Sequence, residues 1–179
     1  MNIATSYSAR RVRRLSVTAE SRNVRVVHEL DGILDDVHPA QLEMTGRALW
    51  TTWANRAVPD LLVGLDAGGI LPTVAVALAS RIPYRLAWKL DLDLPAKSRF
   101  TEPHASRTDV FTYGSLTGKQ VILVDDEVTT GRTLSNLTTV LRTNGVGVLG
   151  VLCLVEDTSG DGRALLDSID IPLIALTTL

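Results

Sequence analysis

The sequence predicts an α/β fold with a central, mostly parallel sheet and helices on both faces. Three observations carry that reading. Short, continuously apolar runs alternate with helical segments of about ten residues. The runs lack polar alternation, as strands buried on both faces do. Glycine-bearing turns follow two of the runs, at the carboxyl ends where ligands bind in such sheets. With 179 residues, 45% of them apolar, residues 1–179 suit one domain with a full-sized core.

Taken in order, residues 1–40 hold short β-like pieces at Val24–Leu30 and Gly32–Leu34, before a helix that begins near Pro39. Leu61 to Leu65 then reads as a buried strand, broken by Gly68 and Gly69. Residues 70–79, rich in Ala, Val and Leu, read as a helix packed on the sheet. The next strand is expected over 83–88 and a third over 121–124. A helix follows at 133–142, a strand at 146–155, a short helix at 162–168 and a last strand at 171–176. Residues 90–118 stand apart as a long polar stretch with Pro95, Pro103 and Gly114. Such a connection is usually functional or disordered, so it is read as a mobile flap or an extended hairpin.

Composition removes several classes. Aromatics are 4% of the chain and net charge is −2, which disfavours a stacking surface or an overall polyanion binder. The one cysteine, Cys153, lies in an apolar run. It excludes a disulfide framework and a Cys-rich zinc site, and is expected in the core. No apolar segment reaches the roughly 18–20 residues of a membrane span, so a cytoplasmic protein is expected. Arg10, Arg11, Arg13, Arg14, Arg22 and Arg25 face only Glu20 near the N-terminus. That run reads as a solvated or oligomer-facing arm.

The chemistry concentrates in VILVDDEVTTGRT, residues 121–133. A Thr-Gly-Arg-Thr turn after a strand opens a helix, whose first N–H groups have no intrahelical partner and whose dipole favours an anion. Gly131 permits a close approach, and Thr130 and Thr133 add hydroxyl donors. No Gly-Lys-Ser/Thr follows, so this is not a Walker A loop. Asp125 and Asp126 precede the turn. Carboxylates accept hydrogen bonds from vicinal hydroxyls or from water on a divalent ion. The string therefore reads as a ribose 5-phosphate cradle, with acids for the diol and the helix N-terminus for the phosphate.

Four hydrophobics, two acids and Thr-Gly-x-Thr resemble the phosphoribosyl-pyrophosphate signature of type I phosphoribosyltransferases. The likeness covers most of the chain and implies their Rossmann-like core, a small N-terminal hood over 1–40 that receives the base, and a flexible loop at 90–118. Asp66-Ala67-Gly68-Gly69 looks like the pyrophosphate loop, often beside a non-proline cis peptide, and Lys89 stands where a lysine commonly contacts pyrophosphate. The resemblance assigns Asp125 and Asp126 to ribose and Mg²⁺. Val128, Thr129, Thr130, Gly131, Arg132 and Thr133 go to the 5-phosphate, and Ala67, Gly68, Gly69 and Lys89 to pyrophosphate. In the loop, Glu102 or His104 is the candidate to exchange a proton with the acceptor.

Val26 to Leu34 and Glu156 to Arg163 are similar to the adenine/xanthine branch. Thr129 stands where the hypoxanthine/guanine branch has an aspartate. Val27 replaces the stacking aromatic of adenine enzymes, His28 an arginine, and Asp157 the base-facing lysine of xanthine enzymes. An aspartate there is expected to favour an amino or cationic base, which leaves purine salvage and a specialised pathway, such as antibiotic biosynthesis, both open. The implied partners are phosphoribosyl pyrophosphate, an acceptor base and a second copy of the chain. Two rivals are a phosphoribosyl-pyrophosphate sensor that binds nucleic acid through the Arg-rich segment, and a phosphatase or response-regulator-like domain. Some 20 residues cannot build a winged helix, and the Thr-Gly-x-Thr turn is not expected in the second.

Overall fold

The computed structural model describes residues 7–15, 24–102 and 109–179. The elements are β1 (Ala9–Arg13), β2 (Val24–His28), α1 (Pro39–Thr51), β3 (Leu61–Leu65), α2 (Ile70–Ser80), β4 (Tyr84–Ala87), β5 (Ser98–Thr101), β6 (Asp109–Thr112), β7 (Gln120–Val128), α3 (Arg132–Thr143), β8 (Gly147–Glu156), α4 (Gly162–Asp167) and β9 (Leu173–Thr178). Five strands form the central sheet in the order β4-β3-β7-β8-β9, every neighbour parallel. The chain runs outward from β3 to β4, then crosses back to β7 on the other side of β3. That reversal puts the ligand crevice outside the carboxyl ends of β3 and β7.

Strand alternation sorts the core into two layers. Leu62, Ile122, Val124, Leu152 and Leu154 face α1, α2 and the N-terminal strands, packing with Leu49, Val76, Val26 and Tyr7. Val63, Val121, Leu123, Val151 and Cys153 face the other way, against Leu134, Leu137 and Leu141 of α3 and Leu166 of α4. The spacing of 134, 137, 138 and 141 is the buried stripe of an amphipathic helix. Each fully buried Leu or Ile contributes about 1.5–3 kcal/mol. Cys153 is a core residue, as its apolar neighbours imply. Among the described residues no helix is long and apolar enough to cross a membrane.

Three sequence expectations change. The Arg-rich segment is not a free arm: its residues 9–13 form β1, paired antiparallel with β2 from Ala9↔His28 to Arg13↔Val24. Its arginines are exposed, Arg11 still reaching Asp157, and the strand is carried largely by backbone pairing, which no apolar pattern announces. Gly32–Leu34 is a turn and bend, not a β piece, with Gly32 at φ +65. β7 does not stop at Val124. Asp125 to Val128 continue to pair with Cys153 to Glu156 of β8, so the carboxylates lie inside the strand.

The 90–118 stretch contains an antiparallel β5–β6 pair, the hairpin alternative. It is docked: Phe100, Val110 and Phe111 are buried, and Phe111 bridges to Trp88 beyond β4. Asn136 of α3 donates to the Thr101 carbonyl at 2.8 Å.

Polar ties fix β1 and β2 over the sheet. Nε and Nη2 of Arg11 both donate to Asp157 Oδ1, at 3.0 and 2.6 Å. The Val26 N–H donates to Glu127 Oε2 at 3.1 Å. Asp157 is 5% exposed. Burial works to raise its pKa, but Arg11 and the hydroxyl and N–H of Ser159 outweigh it and hold it at about 2, against an ordinary 3.8. A lowered folded-state pKa stabilises above the unfolded value and is lost as pH falls through the folded one. Asp157→Asn is therefore expected to be less stable than the parent at pH 7, with the gap closing from about pH 4 toward 2. Urea denaturation across that range measures it.

Candidate functional site

One cavity of roughly 320 Å³ lies at the β3/β7 reversal, the place the topology reserves for a ligand. Asp66, Ala67 and Gly68 after β3 line it. So do Lys89, Glu102, Asp125, Asp126, and the run Val128, Thr129, Thr130, Gly131, Arg132 and Thr133. These residues come from four separate chain segments and converge because parallel strands end on one edge. Gly69 does not line it; it is the N-cap of α2. Val27, His28 and Asp157 are buried outside the cavity wall. His104 lies outside the described residues.

The turn is built around Gly131, the α3 N-cap, at φ +66 and ψ −2. A Cβ there would meet the Gly162 carbonyl oxygen at 2.8 Å, while the Gly162 N–H donates to the Thr129 carbonyl at 2.8 Å. The left-handed residue turns the chain so that the first N–H groups of α3 open on the cavity. The Asp66–Ala67 peptide is cis. Asp66 Oδ2 accepts from the Lys89 backbone N–H at 3.2 Å. Lys89 Nζ lies 2.7 Å from Glu102 Oε2, so the expected pyrophosphate lysine and the expected loop acid hold each other.

Consecutive strand residues point to opposite faces. Asp126 shares the parity of Ile122 and Val124 and meets His28, whose Nε2 is 3.8 Å from Asp126 Oδ2. His28 Nδ1 accepts from the Leu30 N–H at 3.3 Å and lies 2.9 Å from the Tyr7 hydroxyl. Neutral His28 therefore carries its proton on Nε2, toward the carboxylate. Burial pushes the Tyr7 phenol up, keeping it protonated. Asp125 shares the parity of Leu123, and its Oδ1 accepts from the Asp126 N–H at 3.0 Å. Burial first, then the Asp126 charge, push Asp125 well above the carboxylate range. Burial acts the same way on Asp126, but His28 and Asp125 as hydrogen-bond partners outweigh it and lower its pKa. The pair thus favours one proton on Asp125 and a charge on Asp126.

The structure adds Arg14, Val24, Arg25 and Glu127 to the wall. Strict alternation would put Glu127 on the face of Asp125, but it reaches β2 on the opposite face, and Val128 after it packs in the α3 layer. Glu127 Oε1 accepts from the Thr129 hydroxyl at 3.1 Å. The arginines carried no signal beyond charge.

Residues 36–171 match the phosphoribosyl transferase domain family. The chain belongs to that family. It is 27% identical over 180 residues to the xanthine phosphoribosyltransferase of Chloroflexus aurantiacus, covering 96% of this chain and 82% of that protein. It is 31% identical over 139 residues to the adenine phosphoribosyltransferase of Mycobacterium tuberculosis, covering 73% and 65%. It matches the hypoxanthine/guanine phosphoribosyltransferase of Methanohalophilus mahii at 29% over 104 residues, 58% of this chain and about half (54%) of that protein. The adenine phosphoribosyltransferase structure from Thermoanaerobacter pseudethanolicus superposes with a TM-score of 0.74, at 21% identity and 95% of each chain, which shows the fold. The chain is thus a type I phosphoribosyltransferase of the adenine/xanthine-like branch, and so a pentosyltransferase.

Gly131→Ala is expected to cost about 1–3 kcal/mol, because it puts a Cβ on a left-handed residue against a carbonyl. Chemical denaturation would show it.

Proposed function

We propose that the cavity binds phosphoribosyl pyrophosphate with Mg²⁺ and transfers the 5-phosphoribosyl group to a ring or amine nitrogen of an acceptor base, releasing pyrophosphate. The observation that carries this reading is the convergence of the Asp66–Gly68 loop, Lys89, the two aspartates and the 128–133 turn on one cavity. Asp125 and Asp126 hold the ribose hydroxyls. The turn holds the 5-phosphate by backbone N–H groups and the hydroxyls of Thr130 and Thr133. Ala67, Gly68 and Lys89 hold the diphosphate, with Gly69 starting the helix behind them.

The residues suit a magnesium ion. Among the described residues no three His, Cys, Asp or Glu side chains group as a complete metal site. A Cβ on Gly68 would sit 2.1 Å from Asp126 Oδ2, so glycine there leaves the carboxylate room. Mg²⁺ is commonly held by one or two carboxylates plus substrate phosphates, which is what Asp125 and Asp126 offer. When bound, it would supply charge neutralisation to the departing diphosphate.

In the transfer, a bond forms between the acceptor nitrogen and C1 of the ribose. The C1–O bond to diphosphate breaks, and its electron pair leaves with the diphosphate. Positive charge develops on the sugar, so the chain's task is positioning and charge stabilisation. The acceptor's N–H proton passes to Glu102 or to His104. α1 and α2 leave Met44, Leu71 and Leu78 exposed. This apolar strip supports a homodimer, for which sedimentation would return twice the chain mass.

Asp125→Asn combined with Asp126→Asn should weaken phosphoribosyl pyrophosphate binding in Mg²⁺ by roughly a hundredfold or more, since both carboxyl groups of the pair, one of them charged, are lost. Calorimetry decides it, and unchanged affinity removes the cradle.

A further inference from the structure

We propose that Arg14 and Arg25 make the acceptor subsite selective for a nitrogen heterocycle that carries a negative charge, as a carboxylate or a ring oxyanion. This rests on the transferase reading and names its acceptor class.

The cations near the site divide into those already engaged and those not. Lys89 is held by Glu102 at 2.7 Å, and Arg11 by Asp157 at 2.6 Å. Arg14, Arg25 and Arg132 line the cavity and have no ion-pair partner among the described residues, and Arg132 belongs to the turn already assigned to the 5-phosphate. The Arg13↔Val24 register brings Arg14 and Arg25 to the same end of the β1–β2 pair. Val24 lines the cavity beside them and is 41% exposed, giving an apolar surface for a ring.

Every anionic part of the donor has a holder without these two arginines: the turn for one phosphate, the Asp66–Gly68 loop and Lys89 for the other two. The acids that would repel an anionic acceptor are compensated. Asp157 is neutralised by Arg11. Glu127 accepts from the Val26 N–H and the Thr129 hydroxyl. A neutral amino-purine gives two unpaired guanidiniums nothing to bind. A planar oxyanion matches their fork of donors. The expectation of a cationic or amino base, drawn from Asp157 in the sequence, is thereby reversed.

The test compares kcat/KM for adenine, hypoxanthine, xanthine and a purine carboxylate at saturating phosphoribosyl pyrophosphate and Mg²⁺. It uses the parent, Arg14→Gln, Arg25→Gln and Arg25→Lys. Calorimetry measures donor affinity in the same proteins without acceptor. The parent should prefer the anionic acceptors, and each Gln variant should lose about tenfold to a hundredfold of that preference. Arg25→Lys should retain part of it, and donor affinity should hold within about twofold. Both side chains are exposed, so folding is not at stake. A parent that favours neutral bases, or Gln variants with unaltered preference, overturns the assignment. Gln variants that lose donor affinity while keeping their preference overturn it too, by moving the arginines to the diphosphate. A parent that binds no phosphoribosyl pyrophosphate in Mg²⁺ removes the transferase reading itself, and the acceptor class with it.

Discussion

Three consecutive carboxylates at the end of a central strand are the constraint that organises this molecule. Asp125, Asp126 and Glu127 continue β7 into the crevice, where low dielectric makes neighbouring negative charges costly. The fold answers each one differently. Asp125 is pushed toward its protonated form, Asp126 faces His28, and Glu127 takes a backbone N–H from β2 and a hydroxyl from the turn. The position of the N-terminal strands follows, since two of these answers come from β2. Sheet order, glycine turn and hood all meet at this row.

Much of the architecture is legible in the sequence because it rests on patterns a sequence carries. Apolar runs, Gly68-Gly69 and Thr-Gly-x-Thr mark the strands and turns of the parallel sheet, and each falls within a few residues of its predicted place. What was hidden depends on pairing. β1 is written in arginines and exists because β2 offers it an edge. The extension of β7 exists because β8 runs on to Glu156. Glu127 is hidden as well, because its contact with β2 depends on a break in strand alternation before Val128 that no sequence pattern shows. Arg11 and Asp157 are 146 positions apart, and nothing local to either announces the other.

The two faces of the sheet divide the labour. The face with α1 and α2 also carries β1 and β2, whose packing through Val26 and the neighbouring Tyr7 fixes the strand that bears Val24 and Arg25. The other face carries α3 and the docked base of the β5–β6 hairpin. Asp125 and Asp126, adjacent in sequence, belong one to each layer. The cavity therefore opens where the layers touch.

The Lys89–Glu102 contact makes occupancy of that cavity an exchange. The lysine already has a resident anion at 2.7 Å. On the proposed reading, an incoming phosphate oxygen that takes Lys89 displaces Glu102 from its partner. On that reading, arrival of the diphosphate and release of the Glu102 carboxylate are two sides of one swap. Until then the two side chains hold each other.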